Sequence, residues 1–189
     1  MAKSWYGLPK IALIACGGTI GGEWSPVHDT VISSKTGNKR INEYLCNQAR
    51  LHRKIDFVDL FNKDSRQITR KDTVKVYKAI GRLRSKGIRH FLITHGTFTM
   101  TSTAGYIARQ LAIEGIRDTY IVLCGSFIPV TGFAPSDAQF NVGFAMAKLA
   151  SMHEPAHAGS WICMNGLLSR PSALTKKIKK ARFQLKARQ

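Results

Sequence analysis

Apolar residues in this chain gather in short, nearly unbroken runs: IALIAC at 11–16, IDFVDLF at 55–61, FLIT at 91–94, YIVLC at 120–124 and WICM at 161–164. Runs with little polar alternation suit strands buried on both faces, so these predict a parallel sheet covered by helices. Between them, helices are predicted over 41–51, 72–86, 101–112 and 137–149. In the second, Val74, Tyr77, Ile80 and Leu83 recur every three residues and supply a core face. Thr101 or Ser102 can cap the third, and Ser136 or Asp137 the fourth. Strands alternating with helices predict an α/β fold, a single three-layer domain with a mostly parallel sheet. Residues 1–10 read as an N-terminal arm, 11–183 as the domain and 184–189 as a basic C-terminal tail. The segment 23–39 is polar and turn-rich, with Pro26, Gly37 and Asn38, and reads as a long, mobile surface loop of the kind that forms lids. Residues 125–136 and 165–175 read as further loops.

The length of 189 residues suits one domain, and 44% hydrophobic content is ordinary. The charge is not: 29 Lys and Arg stand against 11 Asp and Glu, for a net +18. That excess points to polyanionic partners, nucleic acid above all. Its sharpest local forms are a stripe of Lys71, Lys75, Lys78, Arg82 and Lys86 on the second helix and an acid-free end. The end carries Lys176, Lys177, Lys179, Lys180, Arg182, Lys186 and Arg188. A solvated helix face is the ordinary reading of such a stripe; Asp72 is its sole local counter-charge. The four cysteines are far apart and form no CxxC pair, which speaks against a zinc knuckle. Cys16, Cys124 and Cys163 lie in strand-like runs and read as buried, reduced thiols of an intracellular compartment. No apolar run is long enough to span a membrane. No metal and no cofactor is expected.

Candidate chemistry sits at strand ends. GGTIGG follows the first strand, but its glycines do not fit the GxGxxG register of dinucleotide binding. Thr19 in GGTI and Thr97 in HGTFTM are hydroxyls after glycines at two strand ends, where open parallel sheets bind ligands. Such a hydroxyl becomes a nucleophile only beside a base or a cation. Otherwise it bonds its own loop.

The blocks ACGGTI at 15–20, THGTFTM at 94–100, VLCGSFIP at 122–129, SDAQFNVGFAM at 136–146 and CMNG at 163–166 resemble the bacterial-type L-asparaginases. The closest likeness is to short members that keep only the N-terminal α/β domain. Lys176 and Phe183 follow Asn165 at the family's spacing. The resemblance implies an asparaginase N-terminal-domain-like fold. It implies Thr19 as nucleophile, Thr97 as second catalytic threonine, Lys176 as the lysine that lowers the pKa of Thr97, and Ser65 as a substrate-binding serine. The backbone around Gly18 and Gly96 would help to stabilise an oxyanion. His95 is expected to be structural.

Three departures from the family pattern bear on activity. Phe98 stands where the family has an aspartate, and would leave Lys176 and any substrate ammonium unpaired. Trp24 stands where a tyrosine is looked for, and an indole cannot relay a proton. The acidic residue that long members borrow from a neighbouring subunit's C-terminal domain has no counterpart here. Two functions follow. The preferred one is a catalytically impaired asparaginase fold reused as a basic component of a ribonucleoprotein, such as an organellar ribosome. There it would bind RNA backbone and neighbouring proteins in a mitochondrial or other organellar matrix. The alternative is an active short L-asparaginase, with the cytoplasm as its setting, hydrolysing asparagine or a related small amide through a threonine. A homodimer is compatible with either.

Overall fold

The computed structural model describes residues 9–52, 54–131, 135–177, 180 and 182–187. The N-terminal arm expected over 1–10 lies outside these up to residue 8, as do Lys179 and Arg188 of the basic end. In chain order the described elements are β1 (Ile11–Gly17), β2 (Gly22–Ser25), β3 (Thr30–Ser33), α1 (Gly37–Glu43), β4 (Asp56–Lys63), α2 (Arg70–Arg84), β5 (His90–Thr94), α3 (Met100–Ile113), β6 (Tyr120–Cys124), α4 (Ala138–Ala150), β7 (Gly159–Met164), β8 (Leu167–Ser169), β9 (Leu174–Lys177) and β10 (Arg182–Leu185). The central sheet has the order β4-β1-β5-β6-β7-β8. All neighbours in it are parallel except β8, which returns antiparallel to β7.

Strand alternation divides the core into two layers. Ala12, Ile14 and Cys16 of β1, Phe91 and Ile93 of β5, Ile121 and Leu123 of β6, and Ile162 and Met164 of β7 pack on one face with α2 and α3. Ile11 and Leu13, Leu92, Val122 and Cys124, and Cys163 pack on the other with α1 and α4. An apolar run is therefore required on both parities of each strand, which is why the pattern was legible. Cys16, Cys124 and Cys163 are free and buried, while Cys46 is free and exposed. Burial pushes the Cys163 thiol up to about 12 and raises Cys16 and Cys124 as well, so all three are inert thiols.

Four expectations need correction. The segment 23–39 is not a mobile loop: β2 and β3 form an antiparallel hairpin, with Trp24 opposite Val31, and α1 begins at Gly37. Four-residue strands are too short to show a period. The first helix covers 37–43 and ends in a wider turn, Tyr44–Gln48, rather than covering 41–51. The helix expected over 72–86 begins two residues earlier because Thr69 and Asp72 form a reciprocal cap: the Asp72 amide donates to Thr69 Oγ1 and the Thr69 amide to Asp72 Oδ2. Its buried face is Thr73, Val76, Ile80 and Leu83, with Val74 and Tyr77 at the margin, since a period of 3.6 fits better than one of three. Finally, 165–175 and the basic end are not a loop and an arm. β9 and β10 form a hairpin, with Leu174 and Phe183 buried in the α2/α3 layer. Because β10 runs to Leu185, residues 184 and 185 belong to the folded hairpin.

Candidate active site

The chain winds outward from β1 in both directions, to β4 on one side and to β5, β6 and β7 on the other. Loops leaving adjacent strands at such a switch point diverge and open a crevice at the carboxyl edge. Gly18 and Thr19 follow β1, Asp64 and Ser65 follow β4, and Gly96 and Thr97 follow β5. Topology therefore brings the sequence-predicted residues of three segments to one place.

The loops meet backbone to backbone. Gly18 has φ +82°, and a Cβ there would lie 2.3 Å from the Gly96 Cα. A Cβ on Gly96 would lie 2.6 Å from Ser65 Oγ. Both positions require glycine, the first for conformation and contact, the second for contact alone. The Gly18 amide donates to the Lys63 carbonyl at 2.9 Å. Buried Asn38 accepts from the Gly17 amide at 3.1 Å and donates to Asp59 and to the Phe61 carbonyl. It clamps the end of β1 to β4. Ser65 fastens the third loop: its Oγ accepts from the Phe98 amide at 3.0 Å, and its carbonyl accepts from Thr99 Oγ1 at 2.7 Å. Thr99 takes the place of the expected Thr101 or Ser102 at the start of α3, without a side-chain cap bond. Ser136 Oγ accepts from the Ala138 amide at the start of α4, while Asp137 accepts from the Phe127 and Ile128 amides and so anchors the loop after β6.

Lys176 arrives from far along the chain. It faces Phe183 across the β9–β10 pair, and opposed residues point to one side of a hairpin. Because Phe183 is drawn into the core, Lys176 is turned inward with it, and Lys177 outward. The Phe183 amide donates to Asn165 Oδ1 at 3.1 Å, which ties the hairpin to the β7–β8 turn. Lys176 Nζ donates to Thr97 Oγ1 at 2.7 Å. Its cation also lies 5.7 Å from the Phe98 ring centroid and 5.5 Å from that of Phe127. The expectation that Phe98 strands this cation is therefore corrected: a threonine oxygen and two aromatic faces surround it. Burial, and then the positive charge of Arg66, hold the Lys176 amine below the usual lysine value, against a smaller opposing effect of Asp64.

His95 is wholly buried and bonded at both nitrogens. Nδ1 faces the Gly96 carbonyl at 2.7 Å, so it carries the proton, and Nε2 then accepts from Thr103 Oγ1 at 3.0 Å. Burial lowers its pKa to about 4. A neutral histidine with both nitrogens engaged is structural, as the sequence reading has it.

A cavity of about 340 Å³ opens in front of these loops. Gly18, Thr19, Ser65, Arg66 and Gln67 line it from the rim, and residues 30–33 of the β2–β3 hairpin wall it. Thr97 is buried, while Thr19 is half-buried and lines the cavity. Asn38, Asp64, Arg66 and Phe127 are the site residues that sequence reasoning does not reach. Arg66 adjoins Ser65 and could have been noticed there; Phe127 lies within the VLCGSFIP block without being singled out in it, and Asn38 carries no local signal.

The proposed nucleic-acid residues are not part of this crevice. Lys71, Lys75, Lys78, Arg82 and Lys86 are all exposed along and just beyond α2, with Lys75 3.8 Å from Asp72. Lys177, Lys180, Arg182 and Lys186 are exposed too. None of the described helices is long and apolar enough to cross a membrane.

A family model described as Asparaginase, N-terminal, matches residues 10–186. Among solved structures, a probable cytoplasmic L-asparaginase from Campylobacter jejuni superposes with a TM-score of 0.71 at 22% identity, over 93% of this chain and 52% of that one. The thermostable L-asparaginase from Thermococcus kodakarensis superposes with a TM-score of 0.69, also at 22% identity, over 94% of this chain and 51% of that one. At that identity the likeness is one of fold, and this chain spans about half the length of either. No curated protein matches the sequence.

Proposed function

The chain belongs to the asparaginase family by its N-terminal domain, and on that premise we propose that it is an amidohydrolase acting on a small amide through Thr19, Thr97 and Lys176. The observation that carries this reading is the 2.7 Å contact between Lys176 and Thr97, 79 residues apart in the chain. A lysine desolvated below its usual value can hold or release a proton at a threonine oxygen, as a surface lysine does not. Thr19 is one of the hydroxyl residues that line the cavity, and the one that follows β1. In the proposed reaction its Oγ1 forms a bond to the amide carbonyl carbon, and its proton passes to the Thr97–Lys176 pair. Backbone N–H groups of the glycine loops hold the oxyanion. The C–N bond then breaks, the leaving nitrogen takes the proton, and ammonia departs. Water hydrolyses the resulting ester and restores Thr19.

The test is ammonia release from small amides by the purified chain. Turnover that vanishes in Thr19→Ala is the expected result; absence of turnover on every amide offered overturns the reading.

A second reading is favoured by one observation, the exposure of all five cations of the α2 stripe on a chain of net charge +18. Here the domain binds RNA backbone, within a ribonucleoprotein, with or without activity. Such binding weakens steeply between about 50 and 200 mM salt. A flat response, or no binding at low salt, removes this reading. Because Lys176 and Thr97 are in contact despite Phe98, we place the enzymatic reading first.

A further inference from the structure

Among the described residues, three half-buried lysines lie against aromatic rings, and they differ in what else they touch. Lys63 is 5.8 Å from the Phe61 ring centroid, and its Nζ donates to both carboxylate oxygens of Asp72 at 2.9 Å. Lys148 is 5.2 Å from a single ring, Phe144. Lys176 has two rings, Phe98 at 5.7 Å and Phe127 at 5.5 Å, and a hydroxyl, Thr97 Oγ1, at 2.7 Å. Among the described residues no carboxylate forms an ion pair with it. Asp64, whose charge reaches it, is itself held by Arg66, with a closest contact of 2.6 Å. Burial, and then the positive charge of Arg66, favour the free amine over the ammonium. Lys176 is only half-buried and Phe98 is 55% exposed, so a small molecule can approach the amine along that ring.

We propose that Lys176 is a carbonyl-reactive amine that condenses with small uncharged aldehydes, aryl aldehydes above all, to form an imine. Such chemistry needs the unprotonated amine, which a desolvated lysine near another cation supplies and an ion-paired lysine does not. In the contact with Thr97 the lysine is the donor, so the Nζ lone pair is left for attack on the carbonyl carbon. The C–N bond forms, the carbonyl oxygen takes up the two protons that Nζ loses, and that oxygen leaves as water. The Thr97 hydroxyl touches Nζ and is placed to pass those protons. The exchange needs no oxidant and no reductant. Once protonated, the imine carries its positive charge where the ammonium carried it, beside Phe98 and Phe127. An aryl group on the aldehyde adds ring contact with exposed Phe98. The inference uses the Thr97–Lys176 contact but not the amide reaction, and its test reads Lys176 directly.

The closing experiment treats the full chain with benzaldehyde at pH 7 in the presence of cyanoborohydride, which reduces an imine to a stable benzylamine. Peptide mass spectrometry then gives the rate at each lysine. Lys176 is expected to react at least about tenfold faster than exposed Lys71, Lys75 and Lys78, and faster than Lys63 and Lys148. A rate at Lys176 no greater than at the α2 lysines, or at Lys63, overturns the proposal. Two variants of exposed Phe98 separate charge from packing. Phe98→Asp places a carboxylate beside the amine and is expected to slow reaction at Lys176 by about tenfold. Phe98→Leu keeps an apolar neighbour and is expected to leave Lys176 the fastest-reacting lysine. An unchanged rate in Phe98→Asp, or equal slowing in both variants, overturns the proposal. Ammonia release from small amides is followed on the same preparation. Selective reaction at Lys176 with no amide turned over leaves this proposal standing while the amidohydrolase reading falls. Turnover without selective reaction at Lys176 does the reverse.

Discussion

The rim of the sheet and the outer face of α2 hold the two groups of side chains that bear on function, and they are built in opposite ways. At the rim, Gly18, Ser65, Gly96, Thr97 and Lys176 come from four separate segments, are mostly buried, and are held by close backbone contacts and by hydrogen bonds between the segments. On α2, Lys71, Lys75, Lys78 and Arg82 come from one helix, are exposed, and owe their alignment to helical spacing alone. A rim change propagates because a neighbouring backbone has nowhere to go. A stripe change meets solvent. The rim should therefore control stability and chemistry together, and the stripe only long-range charge.

The strongest way to break this contrast is at Lys176. Lys176→Met keeps much of the side-chain volume and removes the amine. It is expected to lower any amide turnover by about 10²–10⁴-fold while the urea midpoint changes little. The turnover of the unaltered chain should rise with pH on a limb that lies below the 10.5 of an ordinary lysine, because the neutral amine is the proton acceptor. A limb at or above that value would uncouple Lys176 from the chemistry.

His95 tests the burial of the rim. Its folded pKa, about 4, lies below the unfolded value of 6.5, so the unfolded chain binds the extra proton between them. Stability is full above pH 6.5 and is expected to fall by on the order of 3 kcal/mol as pH drops toward 4. His90, also lowered by burial, acts in the same direction. Urea titrations at pH 7 and pH 4.5 measure the loss, and direct NMR titration of the His95 ring assigns it.

Gly96→Ala tests the contact between loops. The new methyl must push against Ser65, and the expected loss is about 2 kcal/mol, read from the same urea titration. Stability equal to that of the parent would mean that the rim yields as easily as the surface.

The smallest effect on stability belongs to the stripe. Replacing Lys71, Lys78 and Arg82 together with Gln is expected to leave stability within about 0.5 kcal/mol per site. If RNA is a partner, the log–log salt slope of binding should fall by about one for each phosphate contact removed. A loss of stability comparable to that of Gly96→Ala would erase the distinction between the regions.

Much of this molecule was open to reading from its residues. Apolar runs located every strand of the parallel sheet, and the glycine–threonine blocks marked two of the loops that form the crevice. Local pattern failed where elements were short or anchored from afar. β2 and β3 span four residues each, and β9 and β10 are short strands with Lys176, Lys177 and Arg182 among their residues, held by two buried side chains, Leu174 and Phe183. Composition could suggest an arm there because charge density does not reveal which residue on a strand faces the core.

What the sequence by itself determined is the α/β architecture, because burial on both faces demands unbroken apolar strands, and the α2 stripe, because helical spacing is local. The contact of Lys176 with Thr97 is implied by the resemblance and made by the fold, whereas only the tertiary structure decided that Phe98 shares the Lys176 cation with Phe127 and that Arg66 occupies Asp64. Contacts such as the first are between residues far apart in the chain, and they exist because strand order brings loop ends together and the buried Phe183 turns its cross-strand partner inward.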